Sequence, residues 1–304
     1  MRPFAVLLLS IAPAFASPAI DVLLPPGSNA VFGLRTATLL NLLAQQESFR
    51  QLQQQFSALL AGTPWSGFNP FRDIQEIVLA ATLNGKNPPT LAVITGHFDP
   101  AKLANGKGHP YRNAILIEDA KANTAQAILD ETTMLAGDLA LVKAAIDRAS
   151  GPASASPLAA RIETMRTRYD IWGFADHIDS ATLPVASDPL QGLDRLWFGA
   201  AFSHNFELAA EFHFRSAKAA AGLTALVRDF EKQIKPQVNG AATFEMSTSD
   251  NSVTLAVSVP EQEWKKALQS RLQPAPKREE PPRPQVVVTD SNGSTVTLSL
   301  PGKR

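Results

Sequence analysis

Five histidines and 28 acidic side chains are the groups in this 304-residue sequence from which acid–base or metal chemistry would be built. His97 and Asp99 stand two apart at the end of an extended segment, a spacing that puts two ligands on one side of a strand. Asp99 is also the residue type preferred at a helix N-cap, and the cap is the simpler reading. Asp176-His177-Ile178-Asp179 is denser and offers two ligands, but no His-Glu-x-x-His or equivalent spacing accompanies it. A polar turn after a strand explains that run. Glu207, Glu211 and His213 share one face of an alternating segment, and Arg195 and Trp197 face them across a hairpin. Opposite charges across strands are the ordinary furniture of a solvated sheet face. Trp197 is less comfortable there, because an exposed indole usually covers something; a helix and a ligand are equally good occupants.

The motifs of whole reaction classes are missing. There is no Gly-x-Ser-x-Gly elbow, no phosphate-binding P-loop and no dinucleotide fingerprint, and Gly106-Lys107-Gly108 lacks the third glycine. Two carboxylates suffice for glycoside hydrolysis and leave no fixed spacing, so a hydrolase with dispersed carboxylates stays open. No residue is therefore assigned a catalytic, cofactor-binding or metal-binding role, and no cofactor is expected.

Composition narrows the partners. The 28 basic and 28 acidic residues balance, and no basic cluster offers a footprint for nucleic acid. Cysteine is absent. That excludes disulfides, thiolate metal sites, a thiol nucleophile and lipid anchoring on a cysteine. With 45% hydrophobic residues the chain has material for a core.

The N-terminus reads as a signal peptide over residues 1–16. Arg2 gives the positive start, Phe4 to Ile11 the apolar stretch, and Ala14-Phe15-Ala16 a small-x-small cleavage site before Ser17. The expected product is a soluble periplasmic or secreted protein with no membrane span in the mature chain and, once Arg2 is lost, a formal charge of −1.

Periodicity then gives the elements. A strand at Ala30–Arg35 leads into a long helix capped by Thr36 or Thr38, with Leu39, Leu42, Phe49, Leu52, Phe56 and Leu59 as its stripe, ended by Gly62 and Pro64. Strands follow at Ile74–Leu83, Leu91–His97, Asn113–Asp119, Ala125–Leu129 and Thr133–Ala136, with a short helix at Asp99–Ala104. Asp138 is expected to cap a helix ending at Gly151, and Ser150–Pro157 is a small-residue linker. After a strand at Ile171–Asp176 come strands Leu196–Phe202 and Phe206–Phe214. Only a three-residue Ser203-His204-Asn205 loop keeps their apolar faces together, with Asn205 left-handed. A helix Ser216–Lys235 carries Ala219, Leu223, Leu226, Phe230 and Ile234. A two-residue Asp250-Asn251 turn pairs Met246 with Leu255, Phe244 with Val257 and Ala242 with Val259, and a last helix from Glu261 turns Trp264 and Leu268 inward.

The predicted fold is α+β: an antiparallel sheet built from hairpins with two long amphipathic helices on one face. Residues 17–150 and 151–273 form two α+β halves, together or apart as domains. Their shared element order leaves duplication and coincidence both open. Residues 274–284 are a proline-rich linker, and 285–304 a hairpin turned by Asn292-Gly293, pairing Val287 with Leu298 and Thr289 with Val296. Two strands alone are marginal, so the hairpin is expected to dock on a sheet edge, its own or a partner's.

Two segments, Gly67-Phe68-Asn69-Pro70-Phe71-Arg72-Asp73-Ile74 and Leu135 to Arg148, resemble segments of a family of exported bacterial proteins of unknown function. The first is similar to a Gly-x-Asp-Pro-x-x-Asp-Leu opening before a strand, the second to Gly-Asp-x-x-x-Val-x-x-Ala-Ile-Asp-Arg, with Leu139 where the family favours proline. The resemblance implies export and brings no activity. The expected function is accordingly non-catalytic binding or an envelope-associated role, with an unknown protein or an apolar ligand as partner. The alternative is a periplasmic carrier of apolar, lipid-like ligands.

Overall fold

The computed structural model describes residues 19–44, 47–60, 68–83, 87–104, 106–152, 156–178, 190–238, 240–272, 285–289 and 295–299. Outside them lie the signal peptide, the helix stop at Gly62 and Pro64, the middle of the Ser150–Pro157 linker, Asp179, the linker 274–284 and the Asn292-Gly293 turn.

The chain runs through α1 (Ile20–Leu23), β1 (Ala30–Arg35), α2 (Thr36–Leu43), α3 (Glu47–Leu60), α4 (Pro70–Asp73), β2 (Ile74–Ala81), β3 (Thr90–Gly96) and α5 (Pro100–Ala104). It continues through β4 (His109–Tyr111), β5 (Ala114–Asp119), β6 (Thr124–Ile128), β7 (Thr133–Asp138), α6 (Leu139–Ser150), α7 (Ala159–Arg168), β8 (Ile171–Ala175), β9 (Leu193–Ala201) and β10 (Phe206–Phe214). The last elements are α8 (Ala217–Ile234), β11 (Thr243–Ser249), β12 (Ser252–Val259), α9 (Glu261–Leu272), β13 (Gln285–Thr289) and β14 (Thr295–Ser299). Neither β4 nor α7 was expected from the sequence.

Twelve strands make one sheet in the order β11-β12-β10-β9-β8-β1-β2-β3-β7-β6-β5-β4. Every neighbouring pair is antiparallel. The fold is therefore α+β on an antiparallel sheet. Element order repeats between the halves but pairing does not: β1 pairs β2, the strand that follows its helices, whereas β10 pairs β12 and leaves β11 at the edge.

Side chains alternate across a strand, so register assigns each to one of two faces. On the front face Val31, Val78, Val93, Leu116 and Leu135 pack beneath Leu23 of α1, Val142 and Ile146 of α6, and Ile162 and Met165 of α7. On the rear face of the last strands Val253, Leu255 and Val257 pack beneath Leu223 of α8 and Trp264 of α9. At the opposite end of the rear face Ile128 and Met134 meet Phe98 and Leu103, which sits in α5. The covered face thus changes along the sheet.

Local chemistry explains the element starts. Ser216 caps α8 by accepting the Ala219 N–H at 3.3 Å. Asn69 caps α4 by accepting the Phe71 N–H at 3.0 Å, its own N–H donates to Asp73 at 2.7 Å, and Pro70 follows. Other caps depart from expectation. Arg35 holds the N-cap position of α2; the Thr36 hydroxyl donates to the Ile74 carbonyl and the Thr38 hydroxyl to Asp170 at 2.9 Å. Asp138 stands at the α6 N-cap, but its carboxylate accepts the Thr90 N–H at 2.7 Å, tying the helix start to the neighbouring strand.

The three-residue loop after β9 is as expected, with Leu196 opposite Phe212 and the rings of Phe202 and Phe206 5.3 Å apart, but Asn205 is not left-handed. The Asp250-Asn251 turn pairs Met246 with Leu255 and Phe244 with Val257, and Asp250 supplies the positive φ of 45°. The covered stripe of α8 runs through Ala220, Leu223 and Val227 and not through the expected Leu226 and Phe230, which lie to one side of it and are 51% and 49% exposed. Of the expected α2–α3 stripe, Phe49 is buried and meets Phe71 edge-on at 5.3 Å; Leu39, Leu42, Leu52, Phe56 and Leu59 have side chains outside the described set. Among the described strands the C-terminal hairpin pairs with itself, and in a different register: Val286 opposite Leu298 and Val288 opposite Val296. An odd number of residues therefore separates its strands, and Val286, Val288, Val296 and Leu298 share one face.

Candidate functional site

The suspected ligand pairs separate in space. His97 approaches the Gln75 amide at 3.0 Å, while Asp99 accepts the Lys102 N–H and pairs with its ammonium at 3.0 Å. Asp176 binds Arg161 at 2.6 Å, His177 takes a left-handed turn position (φ 53°) and Ile178 is fully buried. Among the described residues, no three His, Cys, Asp or Glu side chains are grouped to hold a metal. No described helix is long and apolar enough to cross a membrane.

The polar patch on β9 and β10 does assemble. On the front face the Trp197 indole N–H donates to Glu211 at 2.8 Å. The other oxygen of Glu211 meets His213 Nε2 at 2.6 Å, and His213 Nδ1 meets the Ser252 hydroxyl at 2.8 Å. The Trp197 hydrogen bond, opposed by partial burial and aided by His213 and Arg195, holds the Glu211 carboxyl below its ordinary range. Trp197 also packs against the front core, so the indole serves as a hydrogen-bonded flank of the core. Glu207 stands apart, exposed, and Arg195 reaches Asp194 at 3.9 Å. Sequence spacing showed the shared face; Ser252 was missed because it arrives by register from β12.

A second arrangement went unforeseen. Over the middle of the rear face, Phe32 pairs with Leu79 and Leu34 with Ile77, while Gly173 of β8 separates Phe32 from Phe198 of β9. A cavity of about 280 Å³ opens here, lined by Ala30, Phe32, Leu79, Ala81, Leu196 and Phe198 among others, with Thr90 as the one polar residue. The Phe198 ring lies over Gly173, where a Cβ would come within 2.9 Å of it, and sits 6.3 Å from the Phe32 ring. Leu79 remains 36% exposed. Ala30, Ala175 and Leu196 of its lining also pack into the core under α8. The volume falls just below the ~300–1,000 Å³ typical of ligand pockets. Chemically the groove can desolvate an apolar chain and hold no charge.

The two segments with a family resemblance are structural. Asn69 and Asp73 build the α4 cap, Val142 and Ile146 fill the core, and Asp147 accepts from Tyr111 at 3.2 Å and Arg112 at 3.0 Å. Arg148 donates to the Val22 and Leu23 carbonyls at 3.1 and 2.6 Å, closing α1, and burial lowers its pKa.

No family model matches the chain, and no curated protein does. Among solved structures it is similar to crystal forms of TP0453. Form III gives a TM-score of 0.49 at 11% identity, covering 84% of this chain and 99% of that one. Form IV gives 0.48 at 8% identity over 84% and 99%. Form I gives 0.42 at 10% identity over 85% and 99%.

Proposed function

We propose that this is an exported, non-catalytic binding protein that carries an apolar, lipid-like ligand in the groove on the rear face of its sheet. The observation that carries the reading is a continuous apolar floor, from Phe32 and Leu79 to Phe198 and Leu196, left open among the described residues where strands on either side are packed under α5 and α8. Burying such surface against a hydrocarbon chain yields ~25 cal/mol per Å² without any polar partner. Export rests on Arg2, the Phe4–Ile11 stretch and the Ala14-Phe15-Ala16 site, and sequencing the mature N-terminus should begin at Ser17.

The binding test uses delipidated mature protein and cis-parinaric acid, whose fluorescence rises on entering an apolar site. Wild type should bind, and Leu79→Glu should weaken binding about tenfold or more by setting a charge on the floor, with folding intact. A wild type that takes up no probe, or a Leu79→Glu variant that binds it equally, removes the basis for a carrier.

A second reading, a serine hydrolase, rests on the Ser252–His213–Glu211 chain. With Nε2–H donating to Glu211, Nδ1 is placed to take the Ser252 proton as Oγ attacks an ester carbonyl. Labelling of wild type by a fluorophosphonate, lost in Ser252→Ala, would favour it; an unlabelled wild type disposes of it.

A further inference from the structure

The twelve-stranded sheet ends in two unlike edges. β4 is three residues long and contains Pro110, and both features blunt an edge against pairing. β11 runs seven residues without proline, lysine or bulge, and its one charge is Glu245. The Asp250-Asn251 turn fixes which of its backbone groups are used. Ser249 and Ser252 close that turn, so Ser249, Ser247, Glu245 and Thr243 bond to β12. The N–H and C=O groups of Thr248, Met246 and Phe244 therefore point away from β12, and no described strand lies beyond them. The side chains of Phe244 and Met246 are half-buried in the rear cores, while Thr243, Glu245, Ser247 and Ser249 are exposed on the front.

We propose that the β11 edge is the docking site of the chain's own C-terminal hairpin, which adds to it in solution and extends the sheet. The hairpin divides as the last strands do. Val286, Val288, Val296 and Leu298 share one face, and Gln285, Thr289, Thr295, Thr297 and Ser299 the other, with Val287 as the exception. Added to β11, the first face continues the apolar rear and the second the polar front. A two-stranded hairpin is marginal by itself, and a hydrophobic face shared with further strands stabilises it. The tether is long enough. α9 starts just past Val259, at the end of the sheet where Ser258 pairs with Thr243 of β11. Its 12 residues span about 18 Å. The twelve residues 273–284 that follow reach about 37 Å as a proline-rich extended segment. A hairpin on such a tether is present at its own edge at an effective concentration in the ~millimolar range, which favours it over the hairpin of a second copy. The apolar groove has no part in this, so the carrier reading and the docked hairpin stand or fall separately.

The test is amide hydrogen exchange, read by NMR on the mature full-length chain and on its Val288→Asp variant, which sets a charge on the hairpin's apolar face. The amides of Phe244, Met246 and Thr248 point to the open edge, so only an added strand protects them. In wild type they should exchange about tenfold or more slowly than in Val288→Asp. The amides of Glu245 and Ser247, bonded to β12, should be slow in both proteins and report that the strand itself stays paired. The chain has no cysteine, so a Ser247→Cys, Thr297→Cys double variant carries the only two thiols. A short bis-maleimide should join them within one chain, giving a product that runs as a monomer. Fast exchange at the three outward amides in wild type overturns the proposal, as does protection that Val288→Asp leaves unchanged. A crosslinked product that runs as a dimer also overturns it, because the edge would then take the hairpin of a second copy.

Discussion

In the last three strands, β10 to β12, the sheet has one apolar face under α8 and α9 and one polar face carrying Glu207, Glu211, His213, Thr254 and Glu245; in β1 to β3, Val31, Val78 and Val93 face the front helices while Phe32, Leu79 and Ala92 face the rear, and both sides are apolar. An antiparallel sheet with one solvated side alternates, whereas near-continuous apolar runs mark strands meant to be covered twice. Among the described side chains, the first region has its second covering at the margins, from α5 and from the base of α8. The difference locates where the molecule retains unspent apolar surface, and it is the rear of β1, β2, β8 and β9.

The hardest blow to this comparison falls on the front core, where the two regions join. Trp172 of β8 is fully buried, stacks against Phe174 at 6.3 Å and lies over Gly33 of β1. Trp172→Ala is expected to cost about 3–5 kcal/mol, read as a shift in the urea midpoint, because the cavity cannot collapse between two backbones. A loss under about 1 kcal/mol would mean that the front layer is not the stabilising one.

A smaller effect separates the two sides of a single strand. Val78 points forward at 0% exposure and its neighbour Leu79 points rearward at 36%. Val78→Asn should cost about 2–4 kcal/mol by stranding an amide in the core. Leu79→Asn should change stability by less than about 1 kcal/mol. Equal losses at the two positions would show the rear face to be as closed as the front.

The same contrast explains what the sequence revealed. Where strands alternate, register was testable on paper, and Leu196 opposite Phe212 and Met246 opposite Leu255 followed from keeping apolar residues together. In Ile77-Val78-Leu79-Ala80 both faces are apolar, so no pattern says which is covered, and that depends on helices more than 60 residues later in the chain. Helix α7 escaped notice because only Ile162 and Met165 of its residues are buried, two positions against a basic, polar background. Strand β4 is three residues long, with a proline. The polar patch was half legible for a related reason: spacing put Glu211 and His213 on one face, but Ser252 reaches His213 only through the β10–β12 register.

The smallest expected effect probes the polar side of the second region, and its sign follows from Glu211. This carboxyl is held below its ordinary 4.5, first by the Trp197 hydrogen bond, against partial burial, and then by His213. A carboxyl with a lowered folded pKa contributes stability that is complete above its unfolded value and disappears as pH falls through the folded one. With the side chain 31% exposed, the contribution should stay below about 1 kcal/mol. Glu211→Gln should therefore be slightly less stable than wild type at about pH 7, and the gap should close as the solution is acidified below about pH 4. Urea midpoints of the two proteins across that range measure it. A gap that widens on acidification would reverse the sign and mean that Glu211 is raised, not lowered, by its neighbours. A gap that is large at neutral pH would mean that the front of β10 is buried against something, and the contrast between a solvated face here and an apolar one on β1 to β3 would have to be redrawn.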